Sequence, residues 1–161
     1  MIELVAHDPA WADAYASAAA EIRVALGATA LDVQHVGSTA IPSVVAKRRI
    51  DVLILVQRYD PEAVFREPLA SLGYAYDHRD ALHVLFKGSR DGTPFNLHVE
   101  EEGSEDATRL IAFRDYLRSH PAEARRYEDL KKDLAERSSD DDTYAEAKTS
   151  YVREVLRRAG S

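Results

Sequence analysis

Apolar residues recur at three- and four-residue spacing from Ala10 to Leu26, with Trp11, Tyr15, Ile22 and Leu26 on one side, which predicts an amphipathic helix. Asp8 is placed to cap it, Pro9 occupies its first position and Gly27 ends it. The pattern then shortens. Val33 to Val36 and Ile50 to Val56 predict strands, with the turn chemistry of Gly37-Ser38-Thr39-Ala40-Ile41-Pro42-Ser43 between them. Pro61 to Leu72 predicts a helix that stops at Gly73, followed by extended Tyr74-Ala75-Tyr76. Leu82 to Lys87 and Phe95 to Glu100 predict two further strands joined by Gly88 to Pro94, where Asp91-Gly92 signals a hairpin. From Ser104 onward the helical period returns over Ala107 to Ser119, Ala122 to Arg137 and Tyr144 to Arg158. His120-Pro121 and Ser138 to Asp142 separate these helices, the latter offering N-caps. The expectation is a single α+β domain over residues 1–161: one β-sheet packed with helices and a helical C-terminal third.

Composition agrees with that architecture and removes several chemistries. A chain of 161 residues with 45% hydrophobic content is the size of one domain, which buries roughly 70% of its unfolded surface. Cysteine is absent, so thiol nucleophiles, Cys-ligated zinc and disulfides are excluded. The start, Met1 to Asp8, has an early carboxylate and no basic stretch leading into an apolar one, and reads as a cytoplasmic protein rather than a signal peptide. Val52 to Val56 is strand length, far from the roughly 20 residues that cross a bilayer. A net charge of -7 argues against a nucleic-acid partner. Arg125-Arg126 and Lys131-Lys132 alternate with Glu123, Glu128, Asp129 and Asp133, the pattern of a solvated helix face. A small anion such as a nucleotide is still compatible, because one pocket can be positive on a negative protein.

The stretch that could carry chemistry is His35-Val36-Gly37-Ser38-Thr39-Ala40-Ile41-Pro42, followed by Ala46-Lys47-Arg48-Arg49-Ile50-Asp51-Val52-Leu53. A Gly-Ser turn after a strand exposes backbone N–H groups and a hydroxyl, which suits a phosphate oxygen. Asp51 at the head of the next strand could hold a divalent metal against that phosphate. On spacing alone the simpler reading prevails: Gly37 supplies backbone freedom, Ser38 or Thr39 caps a short helix, and Asp51 is solvated at a strand end.

The same run resembles the signature of the GrpB family, a His-x-Gly-Ser-Thr-Ala-x-Pro segment before an Ala-Lys and a strand bearing Asp. The resemblance extends along nearly the whole chain, through the initial Asp-Pro-x-Trp, Asn96-Leu97-His98-Val99, Phe113-Arg114-Asp115-Tyr116-Leu117-Arg118, His120-Pro121, Tyr127 with Leu130-Lys131, and Tyr144 with Ala147-Lys148. It implies a nucleotidyltransferase-like mixed β-sheet. It also implies transfer of a nucleoside monophosphate from a nucleoside triphosphate to an unidentified acceptor, with Mg2+ or Mn2+. In that reading Gly37 and Ser38 hold the phosphates with Arg114, Lys131 and Lys148, Asp51 binds metal, and His98 joins it in catalysis. GrpB-like domains fused to dephospho-coenzyme A kinase add an association with coenzyme metabolism.

One feature departs from the two-metal pattern, which places two carboxylates two residues apart so that both reach one strand face. The residue two after Asp51 is Leu53. This favours the alternative of a non-catalytic nucleotide-binding or protein-interaction module. Replacement ligands lie on the later strands: Asn96, His98 and Glu100 alternate with Phe95, Leu97 and Val99, and His83 alternates with Val84. A set of Asp51, His83, His98 and Glu100 would accept Zn2+ or Mn2+ more readily than magnesium. The plainer view is that these histidines lie on the wet face of a sheet. Arg114 and Arg118 share one helix face, and Arg114 pairs equally well with Asp115. His35 is placed to hold the Gly-Ser loop, whereas His7, His78 and His120 read as structural or exposed. Trp11, Tyr116, Tyr127, Tyr144 and Tyr151 read as packing anchors.

Overall fold

The computed structural model describes residues 2–137 and 141–159, without the side chains of residues 141 and 142. Helix α1 spans Ala10–Leu26, its first N–H accepted by the Asp8 side chain and its end marked by Gly27 at φ 54°. Strands β1 (Asp32–Val36) and β2 (Ile50–Val56) follow, then α2 (Ala63–Ser71), β3 (Ala75–Arg79), β4 (Val84–Arg90), β5 (Thr93–Glu101), α3 (Glu105–Ser119), α4 (Pro121–Arg137) and α5 (Asp141–Arg158). The expected loop from Gly88 to Pro94 is mostly strand. Only Asp91 and Gly92 turn, at φ 50° and 81°, because a two-residue turn with both φ positive matches the twist of paired strands.

The sheet order is β1-β2-β5-β4-β3, with β2 and β5 parallel and the other neighbours antiparallel. This mixed sheet is α+β, as expected. Ile50, Val52, Ile54, Phe95, Leu97, Val99, Val84 and Phe86 point to one face and bury Trp11, Ile22, Leu26, Phe65 and Leu69 of α1 and α2. Alternation sends Asp51, Leu53, Leu55, Asn96, His98 and Glu100 to the opposite face. There Leu53, Leu55 and Val36 meet Ala107, Leu110 and Ile111 of α3. Helices α3, α4 and α5 then pack together through Phe113, Leu117, Ala124, Tyr127 and Val155, which also cover Ile41 and Val44 of the loop after β1. The second face is thus apolar at one end and polar at the other.

Candidate functional site

The polar end is built around the turn after β1. Gly37 has φ 78° and ψ -174°, a conformation that side-chain-bearing residues avoid, and Ser38–Ala40 form one turn of 3-10 helix. A Cβ at Gly37 would lie 2.7 Å from Asp51 Oδ2, so only glycine lets the turn rest on that carboxylate. His35 Nε2 lies 2.9 Å from Thr39 Oγ1, and burial pushes the imidazole down to about 4, so it stays neutral while bracing the loop. Arg114 Nη1 donates to His35 O at 2.9 Å and Arg118 Nε donates to Ala40 O at 2.9 Å. Ser38 Oγ and Tyr127 OH are 3.2 Å apart, tying the turn to α4.

Asp51 is the second residue of β2, opposite Val36 and beside Asn96 in the register. His98 Nε2 is 3.0 Å from its Oδ1, and His98 Nδ1 is 3.0 Å from His83 Nδ1. Arg49 Nε stands 3.8 Å from the same carboxylate. Burial raises the Asp51 carboxyl, but the His98 hydrogen bond and charge, with Arg49 and Lys148, outweigh it and hold the pKa below the usual carboxylate value. Asp51 is an anion at neutral pH.

A ring of cations faces it. Ser38, Thr39, Lys47, Arg49, Asp51, Lys131, Tyr144 and Lys148 line one narrow cavity of about 20 Å³, room for about one water molecule. The Lys47 and Lys148 ammonium groups sit 4.8 and 5.6 Å from the Tyr144 ring centroid. Lys131, 2% exposed, donates to Val45 O at 2.6 Å, and burial, with Lys148 beside it, drops its pKa to about 6. A larger cavity of about 150 Å³ shares Lys148 and is lined by Gly37, with Ile41, Leu110, Phe113, Tyr127 and Val152 as apolar walls and Arg109, Arg114, Arg153 and the carboxylate Asp106 as charged groups.

The sequence-derived residues therefore divide. Gly37, Ser38, Asp51, Lys131 and Lys148 share one locus, and His98 and His83 join Asp51 through hydrogen bonds. Glu100 does not reach it: the register pairs it with Leu55, Ser104 Oγ donates to its Oε1, and burial with the neighbouring Asp106 carboxyl raises its pKa. Arg114 lines the larger cavity, but its donors go to His35 O and Asp115. Leu53 is fully buried against Val36, Leu55 and Ala107, so the position of a second carboxylate is filled by core packing. Lys47, Arg49, Tyr127 and Tyr144 were missed as site residues. The signal for Arg49 was available, since it lies two residues before Asp51, the spacing that shares a strand face.

The family model described as GrpB protein matches residues 1–158. The chain belongs to the GrpB family. A UPF0157 protein from Halalkalibacterium halodurans is 36% identical over 164 residues, spanning 99% of this chain and 83% of that protein. The glutamate-rich protein GrpB of Alkalihalophilus pseudofirmus is 34% identical over 161 residues, spanning 95% and 92%. A dephospho-CoA kinase of Mycobacterium bovis shares 30% identity over 97% of this chain, a match that spans 45% of that protein. Among solved structures, GrpB of Enterococcus faecalis superposes with a TM-score of 0.83 at 26% identity, covering 99% of this chain and all of that one. The Cid1 poly(U) polymerase in its MgGTP-bound form superposes with a TM-score of 0.56 at 16% identity, covering 83% of this chain and 45% of that one. GrpB proteins thus share a nucleotidyltransferase-like fold, and the relatives leave this chain's activity open.

Proposed function

We propose that this GrpB protein binds a nucleoside triphosphate between the Gly37-Ser38 turn and α5 and transfers its nucleoside monophosphate to an unidentified acceptor. The observation that carries the reading is the contact of the Gly37 turn with Asp51, surrounded by Lys47, Arg49, Lys131 and Lys148. Three cations, Lys47, Arg49 and Lys148, around one carboxylate make a net positive pocket on a chain of charge -7, which favours a polyphosphate. The adjoining cavity, with apolar walls of Ile41, Phe113 and Tyr127, suits a base or sugar beside the phosphates.

Asp51 alone fits Mg2+ or Mn2+ only together with phosphate oxygens and water, a donor set that magnesium commonly takes. Bound there, the ion would neutralise charge on the phosphates. The chain's own residues do the rest. Ser38 Oγ and the turn's N–H groups hold phosphate oxygens, and Lys148, joined by Lys131 once a bound phosphate favours its protonation, offsets charge on the departing pyrophosphate. Asp51, oriented by His98 Nε2–H, accepts the proton of the acceptor hydroxyl. The hydroxyl oxygen forms a bond to the α-phosphorus as the bond to the pyrophosphate oxygen breaks.

Leu53 supports a second reading, a nucleotide-binding or protein-interaction module without turnover, because its buried contacts leave the site one carboxylate. The deciding experiment incubates the protein with α-labelled nucleoside triphosphates and Mg2+ or Mn2+ in the presence of a cell extract as acceptor source. Label transfer with pyrophosphate release, lost in Asp51→Asn, supports transfer. Nucleotide binding without either supports the module.

A further inference from the structure

The hydrogen bonds from Asp51 do not stop at His98. A carboxylate only accepts, so His98 Nε2 carries the hydrogen that meets Asp51 Oδ1 at 3.0 Å. The other nitrogen of that ring, His98 Nδ1, shares a hydrogen with His83 Nδ1 across 3.0 Å. His83 Nε2 in turn faces Asp80 Oδ2 at 3.5 Å. From the other side, His78 lies between two carboxylates, with Nδ1 2.6 Å from Asp77 Oδ2 and Nε2 3.0 Å from Asp80 Oδ2. Asp80 Oδ1 is occupied by the N–H groups of Leu82 and His83 at 2.8 and 3.0 Å, which aims its second oxygen into the same gap. Two imidazole nitrogens and a carboxylate oxygen converge on one gap.

The backbone puts them there. The register shifts between Tyr76 and His78, so that Tyr76 faces Phe86 but His78 faces Leu85. Without this bulge the alternation would send His78 to the apolar face with Tyr76; with it, His78 joins the face of Leu85, its partner His98, and His83. The hairpin bond from Asp80 N–H to His83 O, 3.0 Å, holds the two ligand-bearing positions together.

We propose that His78 Nε2, Asp80 Oδ2 and His83 Nε2 form a site for a divalent transition-metal ion such as Zn2+, with its remaining positions open to water. The three ligand atoms lie within 4.8 Å of one another, and ligands at zinc distances in a tetrahedron stand roughly 3.4 Å apart, so a small closure of exposed side chains completes the set. Each imidazole has its other nitrogen tied, His78 to Asp77 and His83 to His98, the arrangement that orients metal-bound histidines. Nitrogen donors favour zinc, manganese or iron over magnesium. In the metal-free chain the competing occupant is a proton on His78, whose pKa is raised by its hydrogen bonds to Asp77 and Asp80. The sequence had grouped His83 with Asp51, His98 and Glu100 and left His78 without a role. Here His83 serves two partners, one per ring nitrogen, and links the ion to Asp51 through His98. The site stands independently of the nucleotide reading.

The test titrates the tag-free, metal-stripped full chain with Zn2+ against a chromophoric chelator, and with Co2+ followed by its visible absorption. The wild type binds one equivalent, and His78→Gln and Asp80→Asn weaken it by roughly tenfold or more. His78 and Asp80 are exposed, so the variants keep the wild-type melting profile, and His78→Gln alone decides if Asp80→Asn does not. Absence of stoichiometric binding, or binding unchanged in His78→Gln, overturns the site.

Discussion

At Gly37 one missing methyl group sets how closely the turn approaches Asp51. Gly37→Ala must relieve a 2.7 Å contact and adopt φ 78°, a strain worth roughly 1 to 3 kcal/mol. Chemical denaturation should show that loss, and it should exceed that of Gly103→Ala, where φ is 84° but a Cβ meets nothing within 4 Å. Lys131 gives the pH dependence. Its folded pKa is about 6 against 10.5 for an ordinary lysine, so between those values the unfolded chain holds more protons and stability rises with pH. The cost of burying the charge is full below about pH 6. The stability deficit of wild type relative to Lys131→Met therefore narrows as pH is raised from 6 to 9, measured by denaturation at each pH, and a constant gap would contradict the assignment. Residue chemistry was legible where it was contiguous: Gly37, Ser38 and Asp51 belong to one run of sequence. Tyr127 and Tyr144 were not, since their helical spacing is that of core residues, and both are indeed buried while also lining the two cavities.

Among the elements, β2 was legible to the residue because Ile50 and the run Val52 to Val56 are apolar and buried on both faces, broken only by Asp51. The β3–β4 register was not legible, because a bulge depends on which edge residues pair and leaves no periodic trace. Leu53 shows packing overriding an expected site position. Leu53→Asp should not create a second metal ligand; it buries a charge beside Val36 and Ala107 and should cost more than about 3 kcal/mol in denaturant unfolding. The link between Ser38 and Tyr127 predicts a coupling of about 0.5 to 1.5 kcal/mol in a Ser38→Ala, Tyr127→Phe double-mutant cycle. Since the cavity by Asp51 holds about one water molecule, a triphosphate enters only if Tyr144 and Lys148 of α5 give way. Nucleotide should change amide exchange in α5 and leave α1 and α2 unchanged.

For the molecule as a whole, the helices and four of the five strands followed from hydrophobic period and turn residues, whereas β3 runs on to Arg79 where only Tyr74 to Tyr76 read as extended. The division of the second face followed only from the three-dimensional register, which sets Leu53 and Leu55 against α3 and leaves Asp51 and His98 facing the cations. Among the described residues no helix is long and apolar enough to cross a membrane. The central claim is that the groove between the Gly37 turn and α5 binds a nucleoside triphosphate. Isothermal titration calorimetry of the metal-stripped protein with each nucleoside triphosphate, with and without Mg2+ or Mn2+, tests it most directly. The account predicts metal-enhanced binding of at least one nucleotide, weakened at least tenfold in Lys148→Met and stripped of its metal dependence in Asp51→Asn. Absence of binding by every nucleotide under every metal, or equal binding by both variants, would contradict it.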